Sequence, residues 1–66
     1  MTFRQAERKL KRMVGKNRYH TVQFERIHFH DGEVVDKCQL YVDPKILIES
    51  NTWELAFERL KVALRR

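Results

Sequence analysis

The sequence predicts a single small α+β domain of order α-β-β-(β)-α, with two helices packed on one face of an antiparallel hairpin or sheet. Three observations carry this. Apolar residues recur at helical spacing near both ends, they alternate at strand spacing through the middle, and the middle is punctuated by Asp31-Gly32, a strong hairpin-turn dipeptide. The 66 residues suit one domain, 1–66, near the size at which a single core only just offsets the chain entropy lost on folding.

The first helix starts at Thr2, which with Gln5 forms a T-x-x-Q capping box that satisfies free backbone N–H groups. Phe3, Ala6, Leu10, Met13 and Val14 follow on one side of the cylinder at about 100° per residue. Gly15 is the natural stop, because it takes a left-handed conformation without steric cost.

The stretch YHTVQFERIHFHDGEVVDKCQLYVD then reads as a hairpin whose two-residue turn sets His30 opposite Glu33. Its alternation contains a fault. Val22 and Phe24 are even-numbered whereas Ile27 and Phe29 are odd, so a regular strand cannot point all four inward. A β-bulge near Glu25-Arg26 repairs this, pairing Phe29 with Val34, Phe24 with Cys38 and Val22 with Leu40, and leaving Asp36 opposite Ile27.

Asp43-Pro44 ends the second strand, since proline cannot donate to the ladder. KILIE, residues 45–49, suits a third edge strand or a plain connector. Ser50, Asn51 and Thr52 are alternative N-caps for a second helix carrying Trp53, Ala56, Phe57, Leu60, Ala63 and Leu64 inward. Glu54 lies early and Arg65 and Arg66 late, as the helix dipole favours. The uncovered sheet face would hold Tyr19, Val35 and Tyr41 with His28, His30 and Lys37, a half-polar surface suited to protein contact, to base stacking or to a homodimer. KILIE at a sheet edge is a second route to a dimer.

Net charge is +5, and its placement matters more than its sum. Residues 1–18 carry seven Lys/Arg against one Glu, residues 19–51 three against six acids, and residues 52–66 four against two. On the first helix Arg4, Arg8, Lys11 and Arg12 fall within a sector of roughly 100° opposite the apolar stripe, and Lys16 and Arg18 follow. Like charges at i and i+4 weaken a helix by a few tenths of a kcal/mol each, and only Glu7 to Lys11 is a favourable pair. Such a row fits a solvated face, a phosphate-contacting stripe or an acidic protein partner; the phosphate reading selects Arg4, Arg8, Lys11, Arg12, Lys16 and Arg18 as nucleic-acid contacts. Membrane binding is not expected, because the apolar stripe is needed to cover the sheet.

The one cysteine, Cys38, allows no intramolecular disulfide and no multi-cysteine zinc motif; its even position points to the core, and a reduced, cytoplasmic setting fits. The start, MTFRQAERKL, is charged from residue 4 and lacks the apolar run of a signal or a membrane span. HFHD puts His28 and His30 on one side of a strand about 6.5 to 7 Å apart, but no third ligand is fixed, so no metal and no cofactor is assigned. With no nucleophile-base arrangement and no phosphate-cradling glycine loop, the expectation is a non-enzymatic protein.

The α-β-β-β-α order resembles the double-stranded RNA-binding domain. That family's last helix opens with phosphate-straddling lysines, whereas the matching stretch here, ESNTWELAFE, is acidic, so the family's contacts are not carried over. Asp31-Gly32-Glu33-Val34, Leu40-Tyr41-Val42 and Thr52-Trp53-Glu54-Leu55-Ala56 are similar to motifs of small uncharacterised phage and prophage proteins, over roughly residues 19–64. That resemblance implies a mobile-element origin and a role in modulating host machinery. The expected function is a small basic intracellular module contacting nucleic acid through the first helix. The competing class is a protein-interaction module, such as a phage-encoded regulator of a host protein.

Overall fold

In a computed structural model, which describes residues 1–65, the chain runs α1 (Phe3–Val14), β1 (His20–His28), β2 (Val34–Val42), β3 (Ile46–Ser50) and α2 (Trp53–Leu64). KILIE thus contains a true strand, and the order is α-β-β-β-α. The sheet is antiparallel with strand order β1-β2-β3. Arg66, expected at the tail of the second helix, lies outside the described residues.

Both helix starts follow from local chemistry. The Thr2 hydroxyl accepts from the Gln5 amide at 3.1 Å while the Gln5 side chain accepts from the Thr2 amide at 2.8 Å, the reciprocal box. Gly15 ends α1 at φ +84°, where its N–H donates to the Lys11 carbonyl at 2.9 Å. Of the three candidates for the second cap it is Thr52 that serves, accepting from Leu55 N–H at 3.1 Å.

One core forms between the helices and the sheet. Ala6 and Leu10 of α1, Cys38, Leu40 and Val42 of β2, and Trp53, Ala56, Phe57 and Leu60 of α2 are buried together. Both helices begin at the same end of the sheet: the ring of Phe3 meets that of Trp53 edge-on at 6.1 Å, and the terminal ammonium of Met1 lies 3.5 Å from a Glu54 carboxylate oxygen. Ser50 is the one polar residue of this core, and its hydroxyl has no hydrogen-bond partner among the described residues.

The hairpin corrects the sequence reading twice. First, Phe29 N–H donates to the Glu33 carbonyl at 2.8 Å and Gly32 N–H to the Phe29 carbonyl at 3.1 Å, so the loop holds three residues, His30, Asp31 and Gly32, and Phe29 rather than His30 faces Glu33. Only Gly32 takes positive φ, at +88°, and Asp31 fastens the turn by accepting from Glu33 N–H at 2.9 Å. Second, β1 has no bulge: pairing runs unbroken through Arg26↔Asp36 and Ile27↔Val35. The two corrections share one cause. The extra residue that brings Phe24 opposite Cys38 and Val22 opposite Leu40 sits in the turn, as a glycine-terminated three-residue loop supplies it, and not in the strand.

Arg26, His28 and Ile27 change face as a result. Arg26 and His28 join Asp36, Val34, Phe24 and Cys38 on the helix side of the sheet, while Ile27 pairs with Val35 on the uncovered side. Asp36 is therefore not stranded opposite Ile27: Arg26 Nε and Nη2 donate to its two oxygens at 2.7 and 3.2 Å. Nine-residue strands run about 30 Å while twelve-residue helices run about 18 Å, so the far end of the hairpin projects past the helices and the molecule measures 43 × 23 × 18 Å. Phe24 and Val34, expected on one inward apolar face, consequently stay 43% and 48% exposed, while Phe29, expected beside them, has the opposite parity at the start of the turn and is 50% exposed.

Candidate nucleic-acid interface

Helix α1 lies over β1 and turns Ala6 and Leu10 into the core. That orientation dictates the opposite face, where Arg4, Arg8, Lys11 and Arg12 are all exposed, and Lys16 is exposed just past the helix. Each step of four residues advances about 6 Å along the axis, so Arg4, Arg8 and Arg12 form a row whose pitch is comparable with the spacing of neighbouring phosphates on one strand. Arg8, Lys11, Arg12 and Lys16 line a single open hollow of about 640 Å³ with Gln5 and Gly15. Its walls are long side chains of one helix and its C-terminal flank, so it is a surface trough able to seat an extended anion rather than an enclosed pocket.

The described ion pairs join Met1 to Glu54, Arg26 to Asp36, Lys37 to Glu49 and Lys61 to Glu58. Among the described residues no carboxylate lies within ion-pair distance of Arg4, Arg8, Lys11, Arg12 or Lys16, and the Glu7 to Lys11 pair expected from spacing is not formed. The four described ion pairs use Glu54, Asp36, Glu49 and Glu58, and none of them reaches the row.

Two basic residues make contacts within the fold. Arg18 donates from Nε at 3.0 Å and Nη2 at 2.6 Å to the carbonyl of Asp43, which ties the entry of β1 to the exit of β2. Lys9, which lies between the stripe and the core, folds back so that its ammonium sits 4.8 Å from the centre of the Phe57 ring. Neither was legible in sequence, because both partners are more than 20 positions away.

The open sheet face is split rather than continuous. Tyr19 and Tyr41 meet edge-to-face at 6.1 Å, near Leu47, and Tyr41 Oη donates to the Pro44 carbonyl at 3.3 Å. Val35 is six residues from Tyr41 along β2, about 20 Å away, in a second apolar spot with Ile27. Lys37 between them is bound to Glu49 at 3.3 Å, and Arg26 is on the other side of the sheet, so neither of these two cations is free to flank the tyrosines.

Hydrogen bonding from Arg26 holds the Asp36 carboxyl below the usual carboxylate range, helped by the positive charge of Arg26 and opposed by partial desolvation. Burial pushes the Cys38 thiol up, as suits a small apolar residue of the core. His28 projects on the helix side and His30 belongs to the turn, and among the described residues no three His, Cys, Asp or Glu side chains gather as metal ligands would. No described helix is long and apolar enough to cross a membrane. No family model, curated protein or solved structure matches the chain.

Proposed function

We propose that the protein is a small, non-enzymatic intracellular module that binds nucleic acid by seating a phosphate backbone along α1. The supporting observation is the row Arg4, Arg8, Lys11 and Arg12, exposed and without a described carboxylate in reach, continued by Lys16. A row of this kind gains from releasing the counterions condensed on a polyanion, and gains little from staying in water beside its like-charged neighbours. The apolar side of α1 is spent on the core, which argues against the helix lying in a membrane surface. Arg18 is excluded from the contact set, since its guanidinium already serves the Asp43 carbonyl.

A second reading is favoured by the Tyr19, Tyr41 and Leu47 cluster on the uncovered sheet face, with Tyr19 at 65% and Leu47 at 62% exposure. In that reading the chain is a protein-interaction module, and the resemblance read from the sequence of residues 19–64 would suit a phage-encoded regulator of a host protein. Capture from lysate before and after nuclease treatment separates the two. Retention that vanishes with digestion supports phosphate binding, and retention that survives digestion and is abolished by Tyr19→Ala with Leu47→Ala supports the second reading.

A further inference from the structure

We infer that the free edge of β1 pairs with β1 of a second copy of this chain, about a two-fold axis at Phe24, to make one six-stranded antiparallel sheet. The inference is independent of the nucleic-acid reading. It starts from the direction of the backbone groups. Phe29 bonds Glu33 and Asp43 bonds Tyr19, both odd-numbered pairs of the β1-β2 register. Because hydrogen-bonded and non-bonded pairs alternate along an antiparallel ladder, Thr21, Gln23, Glu25 and Ile27 spend their backbone groups on β2. The N–H and C=O of His20, Val22, Phe24, Arg26 and His28 therefore point away from the sheet, at an edge that no described strand covers.

Exposed strand edges are usually blunted by proline, lysine, a bulge or an inward charge. HTVQFERIH has no proline and no lysine, and its pairing is unbroken. Its inward charge, Arg26, is occupied by both oxygens of Asp36. The edge of β3 is a poorer template: Cys38↔Ser50, Leu40↔Ile48 and Val42↔Ile46 face each other across the inner ladder, leaving only Leu47 and Glu49 to direct backbone groups outward within the strand.

Self-complementarity selects a second copy as the occupant. An axis at Phe24 sets Phe24 opposite the partner's Phe24, Val22 opposite the partner's Arg26, and His20 opposite the partner's His28, so every outward-pointing residue finds an outward-pointing mate. On the other face it sets Gln23 opposite the partner's Glu25, a pairing without charge conflict. Moving the axis one residue toward the turn would bring Glu25 against the partner's Glu25, and two residues would bring Arg26 against the partner's Arg26, each a like-charge clash directly across the ladder. Pairing at Phe24 also covers a ring left 43% exposed. Since α1 lies over β1, the two α1 helices would stand side by side on one face of the joined sheet.

Sedimentation velocity of the full chain, from low micromolar to about 1 mM, tests the inference together with amide hydrogen exchange read residue by residue. The expected result is a mass rising from 8.1 kDa to twice that value, with the amides of Val22, Phe24 and Arg26 protected as well as the odd-numbered ones. Gln23→Glu, at an exposed position, places two symmetric like-charge pairs across the axis and should weaken dimerisation about tenfold, while Gln23→Lys should tighten it. A mass of 8.1 kDa throughout overturns the inference. So does a dimer in which those three amides exchange freely and both Gln23 substitutions leave the affinity unchanged, because the copies would then meet elsewhere.

Discussion

Salt dependence gives the sharpest test of the basic row. If Arg4, Arg8, Lys11 and Arg12 each meet a phosphate of a duplex, the observed association constant should fall with a log-log slope near −3.6, from about −0.9 per contact. Between about 50 and about 200 mM salt that amounts to a loss of roughly 150-fold. Replacing Arg8 and Arg12 by alanine removes two contacts from the middle of the row and should bring the slope near −1.8, a loss of roughly 12-fold over the same range. Alanine is tolerated on the exposed face of α1, and circular dichroism should confirm an unchanged helix. Arg18→Ala is the control, because it deletes a positive charge that the fold already uses: the slope should stay near −3.6, while urea denaturation should show a loss of about 1 kcal/mol from the bonds to the Asp43 carbonyl. Fluorescence anisotropy with a labelled duplex at several salt concentrations reads all three proteins. An unchanged slope in the double variant, or an equal drop in the Arg18 variant, would refute the assignment of the phosphate contacts to this face.

Leu10→Ala deletes a fully buried side chain between α1 and the sheet and should lower stability by about 2 to 5 kcal/mol, enough to unfold much of a domain this small; thermal melts followed by circular dichroism check it. Ser50→Ala should instead raise the urea midpoint, by about 1 kcal/mol of stability, because it removes a buried hydroxyl with no described partner. The folded Asp36 carboxyl titrates below its unfolded value, so its contribution is present above the ordinary carboxylate range and disappears as pH falls through the lower, folded value. Asp36→Asn should therefore be less stable than the parent at neutral pH and converge with it in acid, and a difference independent of pH would rule out the ion pair as its source. Cys38, buried and with its thiol pushed up, should resist alkylation in the folded state and react at the unfolded rate in denaturant.

The elements of the site were more legible than its partners. The Thr2 and Gln5 box, the Gly15 stop and the apolar spacing of Ala6, Leu10 and Met13 are all local, and they settle both the extent of α1 and which side faces water. What local reasoning missed lay across the chain. Arg18 turned out to be tied to Asp43, Lys9 to Phe57 and Arg26 to Asp36, and each partner is defined only once the strands are in register. The hairpin shows the same limit more finely. The parity conflict between Phe24 and Ile27 was visible, yet alternation alone does not say whether an extra residue sits in the strand or in the turn, and the answer decides which face His28, Arg26 and Ile27 occupy and which residue Asp36 meets.

Taken alone, the sequence determined an α-β-β-(β)-α order, the extent of α1 and the inward set centred on Leu10, Leu40 and Phe57, because capping, periodicity and proline or glycine punctuation act over a few residues; it left KILIE as strand or connector and the second cap open among Ser50, Asn51 and Thr52. Only the tertiary structure decided the hairpin register, the overhang that leaves Phe24 and Val34 exposed, and which cations lack a described acidic partner. Those depend on the different rise per residue of strand and helix and on charges that meet only when distant segments pack.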